Sequence, residues 1–223
     1  MRAGNVNYRR LADLPEIAAV FPLAGALLLP GGRMPLNIFE PRYIQMVDEA
    51  IGRTRLIGMI QPEFDGTLQP DGEPVLVNVG CLGRIISFSE SGDGRYLIGL
   101  QGVCRFRIVE EIAVKTPFRQ CRISPFVADL DDDASASEVD RLALLKAFRS
   151  YLEANDLTAD WQNVSRADNT MLVNALSMMA PYGPAEKQAL LEAPDLRTRA
   201  ETLIALTEMA LARDNEDFGS SLQ

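Results

Sequence analysis

Few residues in this sequence have the chemistry to make or break bonds. The chain has no histidine, so the commonest general base and transition-metal ligand is missing. There are three lysines, Lys115, Lys146 and Lys187. A Ser–Lys dyad would need one of them desolvated beside a serine. Lys146 and Lys187 fall at surface-like helical positions and Lys115 in a polar turn. Cys81, Cys104 and Cys121 are odd in number, widely spaced and without a C-x-x-C pair, which suits buried, reduced thiols better than a disulfide framework. Cys81 has Arg84 nearby but no histidine to draw off its proton, and it reads as structural. The densest acids, Asp129, Asp131, Asp132 and Asp133, sit in a stretch that reads as flexible and water-exposed. Burial could not shift their pKa values there, and they lack the spacing of a calcium loop. Phosphate-loop, dinucleotide-binding and nucleophile-elbow motifs are absent. The expectation is a protein with no catalytic, cofactor-binding or metal-ligating residue.

What remains is recognition, and the elements must supply it. The first half is written as short apolar runs punctuated by turn residues: Val20–Leu29, Met34–Phe39, Leu56–Gln61, Val75–Val79, Gly83–Ser89, Arg95–Gln101, Cys104–Ile112 and Phe118–Val127. Ser91-Gly92-Asp93-Gly94 has the composition of a tight hairpin turn. Many short strands at this spacing predict a closed or nearly closed barrel. One helix interrupts them. Pro41 suits its first position, Ile44, Val47 and Ile51 share a face, and Gly52 ends it. Past residue 128 the periodicity turns helical. Ser137-x-x-Asp140 resembles a capping box. Further helices are expected from about Thr170 to Ala180, from Pro184, and from a cap at Asp195. These boundaries divide the chain into a barrel domain (1–127), an acidic linker (128–136), a helical bundle (137–214) and a polar tail (215–223).

Of the 223 residues, 47% are hydrophobic and 24% charged, with a net charge of −9. That is enough apolar material for a folded core. The acidic balance and the scattered arginines speak against nucleic acid. Arg9-Arg10 ahead of Ile17–Leu29 imitates an export signal, but Pro22 and Gly25 break the run and Asp13 and Glu16 lie where acids do not belong. The run is also shorter than the ~20 apolar residues that a membrane span needs. It reads as a core strand in a cytoplasmic protein.

Several ordered stretches resemble the N-terminal substrate-binding domain of Lon proteases. They are Phe21-Pro22-Leu23, Leu29-Pro30-Gly31, Pro35-Leu36-Asn37-Ile38-Phe39-Glu40-Pro41-Arg42-Tyr43 with Met46, and Gly80-Cys81-Leu82-Gly83-Arg84-Ile85. Asp93-Gly94-Arg95-Tyr96, Gly102-Val103-Cys104-Arg105-Phe106-Arg107-Ile108 and the segment 181–192 continue the likeness, which spans roughly residues 16–212. The resemblance implies an α+β fold: a PUA-like β-barrel with one inserted helix, followed by a C-terminal α-helical bundle. It implies a role in recognising unfolded or apolar polypeptide segments, as adaptor or holdase, with a separate protease as a second partner. No ATPase or peptidase module is expected in this sequence. Glu40 and Arg42 beside Tyr43 read first as an anchor for the helix start. Read as binding residues, Met34, Glu40, Arg42, Tyr43 and Met46 are placed at the rim of a cleft between barrel and bundle, with Met59, Met178 and Met179 as further adaptable surface. Two other readings stay open: an RNA-binding PUA-like protein, supported by fold analogy alone, and an enzyme built on a deep pocket with two buried carboxylates.

Overall fold

The computed structural model describes residues 1–131 and 134–220, with side chains through Arg213. Asp132, Asp133 and the end of the expected polar tail, 221–223, lie outside the described residues.

A two-stranded hairpin, β1 (Arg2–Ala3) and β2 (Val6–Asn7), opens the chain. A six-stranded mixed sheet follows: β3 (Ile17–Pro22), β4 (Arg33–Ile38), β5 (Leu56–Ile60), β6 (Val79–Glu90), β7 (Tyr96–Ile112) and β8 (Gln120–Pro125). The order is β4-β7-β6-β5-β3-β8. The β3–β5 pair is parallel and the others antiparallel. The second half of β7 also pairs with β8, so the sheet curls on itself. β4 is left with a single neighbour among the described residues, and the expected barrel is open there.

Four expected boundaries change. The gaps expected between Val79 and Gly83 and between Gln101 and Cys104 are closed: β6 and β7 run through Gly80 and Gly102. Phe106 explains Gly80: a Cβ there would lie 2.6 Å from the ring and 2.5 Å from the Met59 carbonyl oxygen. The glycine therefore marks a close approach inside the sheet. Val75–Val79 is not a strand; residues 62–78 form a loop held by two isolated bridges. The run Val20–Leu29 ends as a strand at Pro22, and Leu27, Leu28 and Leu29 continue as a buried loop. That loop can be buried because its backbone is satisfied: Gly25 donates to Gln61 (2.8 Å), and its carbonyl accepts from the Lys187 ammonium (2.9 Å).

Helix α1 (Pro41–Gly52) starts at the proline and buries Tyr43, Met46, Val47 and Ala50. After the sheet come α2 (Arg141–Ala154), α3 (Trp161–Arg166), α4 (Asn169–Met179), α5 (Pro184–Glu192) and α6 (Leu196–Ser220). The short α3 has too little periodicity to be read from sequence. The polar residues after Arg213 continue α6 to Ser220. Asp140, Asp160 and Asp168 cap their helices through side-chain oxygens, and Asp195 does so for Thr198 at 2.7 Å. The helices share one core with the sheet: Leu144, Val173, Leu190, Leu196 and Leu203 belong to the same buried cluster as Leu28, Met46, Ile85 and Leu100. A second cluster, with Val20, Leu82, Cys104, Phe106 and Cys121, fills the interior of the curled sheet.

The junction between helices and sheet is filled. Gln188 donates to the Val79 carbonyl (3.0 Å), Asn174 to Pro30 (3.1 Å), and Gln61 to Pro184 (2.9 Å). The strongest tie is Arg105, which holds Asp129 through Nε (2.9 Å) and Nη2 (2.8 Å) and reaches the Leu191 carbonyl at the end of α5 (3.1 Å). Asp129 departs from the water-exposed linker expected for it. It is instead the buried partner of Arg105, their side chains 9% and 7% exposed.

Candidate functional site

Because side chains alternate along strands, the register sorts the β4–β7–β6 ribbon into two faces. Pairing aligns Leu36, Ile98 and Phe88 in one row. Ile98 is buried in the core, and Phe88 stacks edge-on to Tyr96 at 4.8 Å. The rows on either side, Pro35-Gly99-Ser87 and Asn37-Leu97-Ser89, therefore project to the opposite, outer face. Together they line an open groove of about 530 Å³.

Gly99 sets its depth. Any side chain there would rise into the groove, and even a Cβ would come within 2.5 Å of Ser87 Oγ. Leu97, 51% exposed, and Pro35 give it apolar walls. Asn37, Ser87 and Ser89 give it a neutral polar rim. One end is stopped by the N-terminal hairpin. Gln101 accepts from the Gly4 backbone N–H (3.1 Å) and donates to the Arg2 carbonyl (3.2 Å). Beyond the other end Phe39 stands 63% exposed. The polar side chains that line it, Asn37, Ser87 and Ser89, are all neutral. What it can do is hold apolar side chains.

Of the five residues expected at a cleft rim, the structure buries two and half-buries Met34, while Glu40 and Arg42 pair at the helix start as their anchor reading expects. Met46 is core at 1% exposure, and Tyr43 is buried at 6%, its ring 4.3 Å from that of Phe21. Burial raises the Tyr43 hydroxyl above its ordinary pKa, against the lowering pull of Arg42. Met34 is half-buried and packs on the main core. Glu40 and Arg42 do meet, at 3.0 Å, at the start of α1. Arg42 also pairs with Glu73 at 2.8 Å, pinning the 62–78 loop, and lies over the Tyr43 ring at 4.7 Å. This cluster anchors α1. It does not share the groove with Leu97 and Gly99. The signal that could have found the groove was available: the period-two stripe Arg33, Pro35, Asn37, read against a hairpin register fixed by the turn at Gly92–Gly94.

The cysteines offer no chemistry. Burial pushes Cys104 up to about 12 and Cys121 up to about 11, and Cys81 rises for the same reason. Among the described residues no group of three or more Cys, Asp or Glu side chains could hold a metal, and no helix is long and apolar enough to cross a membrane.

Residues 17–208 match the family model described as the ATP-dependent protease La (LON) substrate-binding domain. Among curated proteins, Lon protease 2 of Myxococcus xanthus is 25% identical over 206 residues, 87% of this chain and 24% of its own length. Lon protease of Parabacteroides distasonis is 28% identical over 191 residues, 83% of this chain and 23% of its own. The chain thus spans about a quarter of the length of these relatives. Among solved structures, the Lon N-terminal domain protein from Xanthomonas campestris superposes with a TM-score of 0.62 at 23% identity, covering 85% of this chain and 97% of that one. The N-terminal domain of Mycobacterium avium complex Lon protease gives 0.64 at 16% identity, over 86% and 98%. At these identities the structures establish the fold.

Proposed function

The chain belongs to the Lon substrate-binding domain family, and from that premise we propose that it binds extended apolar segments of other polypeptides in the outer groove of the β4–β7–β6 ribbon. The observation that carries this reading is the groove itself: an open, apolar-walled depression whose depth depends on Gly99. Its volume falls within the ~300–1,000 Å³ of ordinary ligand pockets. Exposed apolar surface gathered in one place marks interaction sites, and an unfolded chain presents the extended, apolar segments such a groove accepts.

The role is recognition without bond chemistry. We read the curled sheet as PUA-like and the protein as a cytoplasmic module acting as adaptor or holdase, its clients being polypeptides that expose their interiors. The main core supports this division of labour. It holds the ribbon rigid from behind through Ile85, Ile98 and Leu100, so the groove is preformed and loses little entropy on binding.

The test compares the intact chain with a groove-filled variant, Gly99→Val with Ser87→Ala, the second change removing the hydroxyl that a Cβ would strike. Binding of a permanently unfolded, fluorescently labelled polypeptide is followed by anisotropy. The expected result is retention of unfolded over folded client by the intact chain and a loss of at least about tenfold in the variant, equivalent to roughly 1.4 kcal/mol. Equal binding by the two proteins would remove the groove from the account.

A further inference from the structure

Resting on the polypeptide reading of the groove, we propose that the segment it takes carries acidic residues immediately beside its apolar residue, and that the arginines at the hairpin end select them. In a chain of net charge −9, the row next to Pro35-Gly99-Ser87 is Arg33-Gln101-Arg84. It faces outward with the groove, because it lies two residues along β4 and β7 from that row. Arg2 of the N-terminal hairpin is tied to the same place through Gln101. None of these three arginines takes part in an ion pair among the described residues; Arg10, Arg42, Arg53, Arg95, Arg105, Arg119, Arg122 and Arg197 all do. Arg84 is held by neutral acceptors: Tyr8 Oη (3.2 Å), the Thr54 carbonyl (2.8 Å) and Asn5 Oδ1 (3.3 Å). Its charge is positioned and left uncompensated. No Asp or Glu stands in any of the three rows.

The groove therefore has a chemical direction, apolar over Gly99 and positive towards the hairpin. An extended client seating one apolar side chain on Gly99 brings its next residues on that side over Arg33 and Arg2. Acids there gain charge-assisted contacts; lysines meet repulsion. A nucleic acid would also feel the arginines, but base stacking needs an exposed aromatic face. The three rows that carry the apolar floor and the arginines hold no aromatic residue, and Phe88, which borders the groove, has its ring engaged edge-on with Tyr96.

The test uses three labelled short peptides with the same apolar centre, flanked on one side by two acids, two serines or two lysines, titrated by anisotropy with the full chain. Each exposed pair is worth up to about fivefold in affinity. The acidic peptide should bind about tenfold or more tighter than the lysine peptide, with the gap closing in about 0.5 M salt, where the Debye length shrinks to ~4 Å. Arg33→Glu, at an exposed position that leaves the core untouched, should narrow the gap to about twofold. Equal affinity for all three peptides, or a gap unmoved by salt and by Arg33→Glu, overturns the acid preference while leaving polypeptide binding intact. Failure of all three peptides together with failure of the unfolded polypeptide rejects the underlying reading as well. A short single-stranded RNA that binds more tightly than the acidic peptide and displaces it overturns the proposal in favour of nucleic acid.

Discussion

Removing the carboxylate of Asp129 should cost the protein about 3–5 kcal/mol, the usual penalty for stripping one partner from a buried ion pair. The geometry puts this pair in that class. Both side chains are nearly inaccessible, at 7% and 9%. The contact is bidentate, and Asp129 Oδ2 also accepts the Arg105 backbone N–H at 2.8 Å. In Asp129→Ala the guanidinium stays buried and loses its bidentate carboxylate, while the carbonyls of Leu191, Ala193 and Pro194 still face it. A domain this size is stable by roughly 5–15 kcal/mol, so about a fifth or more of that margin is at stake. Arg105→Met removes the cation and leaves those carbonyls without their donor, at about 1–3 kcal/mol for each one orphaned. In the double variant neither charge is stranded, and its loss should fall short of the sum of the single losses by at least about 2 kcal/mol. Equilibrium guanidinium unfolding followed by far-ultraviolet circular dichroism gives all four values. A loss below about 1 kcal/mol for Asp129→Ala, or strict additivity, would refute the assignment of this pair as the tie between sheet and helices.

Other expectations are simpler to check. At pH 8 a thiol raised to about 12 exists as thiolate in roughly one molecule in 10⁴; a chromogenic disulfide reagent should find no fast-reacting cysteine in the native protein and all three after unfolding. Two hydrogen bonds from Arg119 hold the Glu111 carboxyl below its ordinary value of 4.5, against the opposing push of burial. A depressed folded pKa contributes stability above the unfolded value and loses it as pH falls through the folded one, so Glu111→Gln should flatten the loss of stability below about pH 4.5, measured as urea midpoints; an unchanged pH slope would contradict the shift. Gly80→Ala, meeting the Met59 carbonyl and the Phe106 ring, should destabilise by about 1–3 kcal/mol, whereas Gly52→Ala, with nothing within 4 Å, should not.

The sequence made local rules legible and long-range ones not. Pro41, Asp168, Pro184 and Asp195 act within a few residues, and each marks a helix start where expected; the box expected from Ser137 to Asp140 starts three residues later, with Asp140 itself as the cap. Gly80 and Gly102 look like breaks in sequence because their reason lies across the fold, in the space that Phe106 and the Leu29–Pro30 backbone occupy. Asp129 looks like a linker acid for the same kind of reason, since nothing near it in sequence announces Arg105. For the site, the methionines at 34 and 46 share their spacing with any core helix or strand, and composition alone cannot separate adaptable surface from packing. The groove needs three strands in register before Pro35, Gly99 and Ser87 become neighbours.

Register also bears on how a client would be held under the proposed function. Strand addition would need a continuous row of donors and acceptors along the unpaired edge of β4. Pro35 stands in the middle of that strand and has no N–H to give. Proline is tolerated within sheets where its nitrogen looks away from the partner strand, which puts the gap on the open side. Arg33 beside it is the kind of charge that discourages edge pairing. The outer face has no such defence, since it asks only for a side chain that fits over Gly99. A client peptide methylated on alternate backbone nitrogens cannot add as a strand, yet it keeps its side chains. It should bind the native chain within about threefold of the unmodified peptide and still be lost on filling the groove at Gly99. A drop of about a hundredfold on methylation, equivalent to roughly 2.7 kcal/mol, would mean that the edge holds the client and the groove does not.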